Sequence, residues 1–332
     1  MLADLIQEFK TAIEAELQRE ISNPLFQSYP GLEPILRYHL GFENEAGQGK
    51  RVRPLIVLLS VGAVNGDWRC ALPSAAAVEL LHNFSLIHDD IEDGSPLRRG
   101  RETVWKKWGI PLAINAGDAM FTLAFSALVR LKDTLSPDVS LRSLQVLTET
   151  SLRLTCGQHL DIAHETERSI EMDTYWAMVA GKTAALLSAC SQLGAIAGRA
   201  TAQQEKNLAQ FGHFLGLAFQ AWDDWLGIWG DPLETGKSTD SDLVAGKKTL
   251  PVVYALQHSG RFSDRWNRGA IQPDEVGDLS TWLADVGAKE FTEIKVTELT
   301  SQAIDALHAV GCDNEYVQGL EELALSLVKR KK

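Results

Sequence analysis

The sequence predicts an all-α protein, a single domain over residues 1–332. Three observations carry that reading. Apolar residues recur at spacings of three and four along most of the chain. No stretch alternates apolar and polar residues between hairpin signals. No linker, low-complexity tract or internal repeat interrupts the pattern.

The elements follow in order. Leu2, Leu5, Ile6, Phe9, Ile13 and Leu17 form one apolar stripe, the mark of an amphipathic helix. The same periodicity covers 50–65, 71–93, 111–132, 140–165, 171–198, 202–230 and 274–310. Pro111 stands where a helix can begin, because an N–H missing from the first turn loses no hydrogen bond. The Ser136-Pro137-Asp138 cluster separates two helical runs. A chain of 332 residues built this way has ample material for a buried core.

Composition narrows the function. The formal charge is −12, from 44 acidic and 32 basic residues, which argues against a nucleic-acid binder and suits divalent cations. Cys70, Cys156, Cys190 and Cys312 lie far apart, without the spacing of a zinc site or a disulfide framework. The N-terminal segment is charged throughout and lacks the apolar core of a signal peptide. The longest apolar stretch, Pro54 to Val64, is short of the roughly 18 residues of a membrane span. The expectation is a cytoplasmic protein with no membrane span.

Two acidic segments carry the chemistry. In the first, DDIED, Asp89 and Asp93 are four apart, so a helix sets them on one face about 6 Å apart along its axis, with Asp90 on the flank. Acidic runs are most often solvated helix ends. This one follows an apolar run and is followed within one short loop by Arg98, Arg99 and Arg101, whose guanidinium forks match phosphate. A bridging magnesium ion, which takes oxygen ligands, would relieve the carboxylate repulsion. In the second segment, Asp223 and Asp224 end another apolar run, and Lys237 and Lys247 lie in the polar stretch beyond. Trp222, Trp225 and Trp229 read as helix packing. Lys50 and Arg53 are expected on one face at the start of a helix, where the macrodipole favours anions. Gly181-Lys182-Thr183 marks a break between helical runs, and His82 sits two turns before Asp89.

Taken together and in this order, the segments resemble the trans-isoprenyl diphosphate synthases of the polyprenyl synthetase family. The similarity runs from about Gly49 to Leu256, through GKRVRP, DDIED, RRG, Gly117-Asp118-Ala119, GQHLD, GKT, DDWLG and GKKTLP. The resemblance implies a bundle of long helices around a deep central cavity, in a homodimer. It implies that Asp89, Asp93 and Asp223, with Asp90 supporting, bind Mg²⁺, three ions per active site. Arg98, Lys182, Thr183, Gln220, Lys237 and Lys247 would hold the diphosphate of the allylic substrate. Lys50, Arg53, His82 and Arg99 would hold that of isopentenyl diphosphate. The catalytic set is then Asp89, Asp90, Asp93, Asp223 and Lys182.

One position departs from the family pattern. The second segment ends on Gly227 where the family has a third aspartate, and Asp231 is a candidate replacement. The departure keeps open a non-catalytic partner subunit beside the active synthase. A class I terpene cyclase is a further rival, although it would need no second diphosphate site. The basic tail Lys329–Lys332 reads as a frayed helix end, with closure over bound diphosphates as the other reading.

Product length is expected to depend on the helix carrying Asp89. Ser85, Phe84 and Leu81 lie four, five and eight residues upstream, each residue adding about 1.5 Å of depth. An aromatic Phe84 above a small Ser85, with no insertion in DDIED, implies by the resemblance a C20 product, geranylgeranyl diphosphate. Farnesyl diphosphate (C15) is the alternative. Phe84 facing a neighbouring helix is the other orientation open to it, and an unaltered product distribution on Phe84→Ala would remove the basis for choosing C20.

Overall fold

The computed structural model describes residues 2–43, 49–230 and 241–328. They are almost entirely helical, as the periodicity predicts. The main helices are α1 (Leu2–Ile21), α2 (Leu32–Leu40), α3 (Val52–Ala63), α4 (Leu72–Glu92), α5 (Val104–Trp108), α6 (Ile110–Val129), α7 (Pro137–Glu165), α8 (Met172–Val179), α9 (Ala185–Ala197) and α10 (Ala202–Trp229). They continue with α11 (Ser241–Val244), α12 (Leu250–His258), α13 (Gly260–Trp266), α14 (Val276–Asp285), α15 (Ala288–His308) and α16 (Glu315–Val328).

Two compact units share the chain, each assembled from separate stretches. The first comprises Met1–Glu149, Ala189–Lys206 and Cys312–Gly319; the second comprises Thr150–Ser188, Asn207–Gly311 and Leu320–Lys332. Most boundaries fall inside helices, within α7, α9, α10 and α16, so no polar linker marks them in the sequence.

In the first unit, the α1 stripe is buried through Phe9, Ile13, Leu17 and Ile21. α4 forms the centre, with Ala75, Ala76, Ala77, Val78, Leu80 and Leu81 enclosed. α6 approaches α4 so closely at Gly117 that a Cβ there would lie 2.3 Å from His88 Nε2. Arg51 precedes α3 in a left-handed conformation (φ 52°) and is 3% exposed. Its Nε donates to Glu14 (2.7 Å), Nη1 to Glu79 (2.8 Å) and Nη2 to the Leu40 carbonyl (2.8 Å). A buried guanidinium is tolerated only when paired this fully.

The second unit has two apolar clusters. One gathers Ile228, Leu243, Val252, Phe262, Leu279 and Leu283, with Trp229 packed against it. The other gathers Tyr175, Val179, Ala218, Ala221, Val253 and Val296, with Trp222 against it. Trp222 and Trp225 stack at 4.7 Å, so these indoles pack, as their spacing suggests.

One local feature corrects the sequence reading, and another bears on the expected absence of a membrane span. A two-stranded hairpin, β1 (Leu97–Arg98) and β2 (Arg101–Glu102), pairs Leu97 with Glu102 and Arg98 with Arg101. Strands of two residues are too short to alternate. Their turn residues, Arg99 (φ 52°) and Gly100 (φ 72°), adopt the paired left-handed geometry of a type I′ turn. Trp68–Glu92 and Ile110–Asp133 each contain an 18-residue window apolar enough to cross a membrane by length and composition alone. The first is 67% buried within its apolar window and so is a core helix; the second is 44% buried.

Candidate active site

In the first unit, α4 ends on Glu92, and Asp93 caps it in helical geometry, its N–H donating to the Asp89 carbonyl at 2.8 Å. The expected i, i+4 relation of the two carboxylates is therefore kept. Asp90 lies differently. It is 2% exposed and accepts from Arg98 Nε at 2.9 and 3.0 Å, with Nη2 at 2.9 Å. Burial raises the Asp90 pKa against the pull of Arg98. The contact orients Arg98 and turns Asp90 inward.

The cationic cluster of this unit contains Arg53, His82 and Arg99. Arg53 Nε is buried without a hydrogen-bond partner among the described residues, and burial lowers the pKa of this guanidinium. Burial, then the charges of Arg53, Arg99 and Arg98, push the His82 pKa well below its ordinary value, leaving the ring neutral at pH 7. Arg99 sits on the strained hairpin turn, and Gly49 comes so near that a Cβ would lie 3.1 Å from its guanidinium. A non-glycine residue at positive φ costs about 1 kcal/mol and tends to mark function. Lys50 departs from expectation. It precedes the helix and is exposed, because the left-handed Arg51 breaks the path that would have set it on the Arg53 face.

Sequence reasoning missed His39. Burial and then Arg98, Arg99, Arg51 and Arg101 hold its pKa down to about 3, and its Nε2 is unpartnered among the described residues. It shares a small cavity with Asp90, Arg98 and Arg99. No spacing signal could have found it, since its neighbours lie far along the chain.

Leu81, Phe84 and Ser85 follow α4 away from the aspartates. Leu81 is fully buried, and Ser85 Oγ donates to the His82 carbonyl at 2.9 Å. Phe84 meets His88 at 4.7 Å and Phe121 of α6 at 5.0 Å, and Phe121 continues to Phe125 at 5.0 Å. The ring thus faces the neighbouring helix α6, the alternative orientation, and heads an aromatic column there.

In the second unit, the break at Gly181-Lys182-Thr183 is a single π-turn, Ala180–Ala184, between α8 and α9. Such turns are rare and concentrate at functional sites. α7 presses on it. A Cβ on Gly157 would lie 2.1 Å from the Lys182 backbone nitrogen. Lys182 pairs with Asp161, the aspartate of GQHLD, which the predicted site omitted.

A hydrogen-bond chain then links three predicted residues. Thr183 Oγ1 donates to Gln220 Oε1 (2.8 Å), and Gln220 Nε2 donates to Asp224 Oδ1 (2.9 Å). Asp224 Oδ2 also accepts from the Tyr175 hydroxyl (2.6 Å) and the Leu250 N–H (2.8 Å). Burial pushes Asp224 up to about 7, opposed by these three donors and reinforced by the charge of Asp242. Asp224 is thus an inward anchor, while its half-buried neighbour Asp223 lies on another face of α10. Gly227 is one turn beyond Asp223, and a Cβ there would lie 2.1 Å from Asp242 Oδ2. Lys247 is exposed, its N–H donating to the Asp242 carbonyl at 2.9 Å. Lys237, Asp231 and Lys329–Lys332 lie outside the described residues.

No cluster of three or more candidate metal-ligating side chains occurs among the described residues. Magnesium does not require one. It keeps several waters and binds through one or two carboxylates together with substrate phosphates. The paired carboxylates of Asp89 and Asp93 fit that demand.

Comparison with known proteins agrees with this chemistry. Residues 38–278 match the family model described as Polyprenyl synthetase. The (2E,6E)-farnesyl diphosphate synthase of Mycobacterium tuberculosis (strain ATCC 25618 / H37Rv) is 36% identical over 316 residues, covering 91% of this chain and 87% of that protein. The geranylgeranyl diphosphate synthase of the same organism is 45% identical over 231 residues, 68% of this chain and 65% of that protein. Among solved structures, a polyprenyl synthetase from Streptomyces coelicolor A3(2) matches with a TM-score of 0.89 and 34% identity, over 99% of this chain and 100% of that chain.

Proposed function

The chain belongs to the polyprenyl synthetase family and is a short-chain trans-prenyltransferase, and from that premise we propose that it extends allylic diphosphates with isopentenyl diphosphate as far as C20, geranylgeranyl diphosphate. The observation that carries the two-substrate reading is the cluster of Arg53, His82 and Arg99. It offers a buried, unpartnered guanidinium N–H apart from the Asp89 and Asp93 carboxylates. A terpene cyclase, with one diphosphate to bind, has no use for it.

The family is magnesium-dependent. Bound magnesium, three ions per site in this proposal, supplies Lewis-acid and electrostatic stabilisation of the departing diphosphate. Asp89, Asp93 and Asp223 would hold it, and Arg98, Lys182, Thr183, Gln220, Lys237 and Lys247 would neutralise and orient the allylic diphosphate. Asp90 fixes Arg98 for that task, and Asp161 steadies Lys182 until substrate arrives. Lys50, Arg53, His82 and Arg99 would hold the diphosphate that stays. As the allylic C–O bond breaks, the double bond of isopentenyl diphosphate attacks the cation, and the proton passes to the released diphosphate. No protein base is required. Apolar side chains lining the path of the growing chain would exclude water that could capture the cation.

The enzyme is further proposed to work as a homodimer. Supporting this, α6 leaves Ile110 and Ile114 exposed one turn apart on the same face, a patch that a second copy would cover.

The test is incubation of the purified chain with isopentenyl diphosphate and C5, C10 or C15 allylic partners in Mg²⁺, with products read by mass spectrometry. Absence of any condensation by the chain alone would favour a partner subunit. A C15 end product is the second reading, favoured by the Phe84–Phe121 contact, which places two rings about five residues above Asp89. In either case Phe84→Ala is expected to shift products to longer chains by at least one C5 unit, with the KM for isopentenyl diphosphate nearly unchanged. An unaltered distribution would place the floor elsewhere.

Arg99→Ala is expected to raise the KM for isopentenyl diphosphate about tenfold or more, the worth of one charge-assisted contact, and to leave the allylic KM within about twofold. Alanine keeps a Cβ at the same positive φ, so backbone strain does not confuse the comparison. Equal damage to both substrates in paired titrations would reject the division of Arg98 and Arg99.

A further inference from the structure

Gly227 interrupts α10 at the position where the family pattern has an acid, and its backbone does not explain it. It lies inside a helix, without positive φ, where glycine costs about 1 kcal/mol relative to alanine. What the missing side chain leaves is room. An ideal Cβ on Gly227 would lie 2.1 Å from Asp242 Oδ2 and 3.1 Å from its Cγ. A carboxylate from α11 therefore stands where the side chain of residue 227 would begin.

We propose that Asp242 supplies the carboxylate that position 227 lacks, presenting the second segment's third acid to the metal from α11 instead of α10. The proposal rests on the metal-binding role given to Asp223 above. Residues 223 and 227 are one turn apart on α10, the relation Asp89 and Asp93 have on α4. Asp242 thus reaches the α10 face that Asp223 occupies. Its charge is felt at the neighbouring Asp224. Its backbone is fixed, because its carbonyl accepts from Lys247 N–H at 2.9 Å and closes the short helix. The same contact holds Lys247, a proposed diphosphate ligand, at the end of the element carrying the acid. Gly227 and Asp242 form one unit of design: the glycine makes the space, and the aspartate fills it with charge.

The test uses manganese and inorganic pyrophosphate, with binding isotherms read by electron paramagnetic resonance and no turnover. Asp223→Asn identifies the manganese class that belongs to this segment. Asp242→Asn, close to isosteric, is expected to weaken that class about tenfold, in the range seen when groups supporting a metal are removed. Gly227→Ala keeps every charge but pushes the Asp242 carboxylate aside, and is expected to weaken it similarly. The exchange Gly227→Asp/Asp242→Ala returns the acid to α10 and should recover affinity to within about threefold of wild type. Thermal melts of each variant separate misfolding from lost ligation. Unchanged manganese affinity in Asp242→Asn and Gly227→Ala, beside weakened affinity in Asp223→Asn, would overturn this proposal alone. Unchanged affinity in Asp223→Asn as well would overturn the metal role of the segment and this proposal with it.

Discussion

Replacing either Asp89 or Asp223 by alanine is expected to lower turnover by at least about a hundredfold, equivalent to roughly 2.7 kcal/mol of transition-state stabilisation. The carboxylate is needed most when the allylic C–O bond breaks and negative charge gathers on the leaving group. Its loss therefore falls on kcat more than on binding. Folding should not suffer. At Asp89 the substitution removes a like charge one turn from Asp93, which relieves a few tenths of a kcal/mol. Asp223 is half-buried, and the bonds that its neighbour Asp224 makes to Tyr175 and Leu250 are left intact. The two variants test the two compact units one at a time. Steady-state kinetics at saturating Mg²⁺ and both substrates decide the matter, and full activity in both would refute the metal-binding reading.

Gly157→Ala should be damaging although it lies away from the aspartates. In an ordinary helix interior this exchange stabilises by up to about 1 kcal/mol. Here the sign reverses. The new Cβ would lie 2.1 Å from Lys182 N and 2.6 Å from Gly181 C, atoms of a backbone that cannot swing aside. Overpacking of this kind costs about 1–3 kcal/mol. α7 and the π-turn must separate, and Lys182 moves with them, away from Asp161. A lower thermal midpoint together with a higher allylic KM is expected. A raised midpoint would show that the two backbones are less closely packed than described.

What the sequence reveals depends on the length scale of the signal. Long amphipathic helices repeat their pattern over several turns, so α4, α6, α7 and α10 were legible nearly to their ends. The run read as 274–310 breaks at Gly287 (φ 86°), between α14 and α15, because one left-handed residue leaves the apolar period almost unaltered. Short helices such as α2, α12 and α13 carry too few turns to show a period. At the site, residues announced by local spacing, Asp89 with Asp93 above all, were found directly. Asp161, Tyr175, His39 and Asp242 were not, because each acts on a partner distant in the chain, and only the fold brings them together. Lys50 shows the opposite failure, where a sound helical argument began two residues too early.

The π-turn at Ala180–Ala184 has an evolutionary reading. A π-turn accommodates one residue more than the α-helix on either side of it. The gene therefore carries, in effect, a one-codon insertion that the helix absorbed on the spot instead of passing downstream. Removing one codon from this stretch would let α8 run into α9 as regular helix, erasing the turn while leaving the register of α9 unchanged. Such a deletion would spare the helix behind the turn but lose the local geometry that presents Lys182, and should be purged as strictly as changes to Lys182 itself.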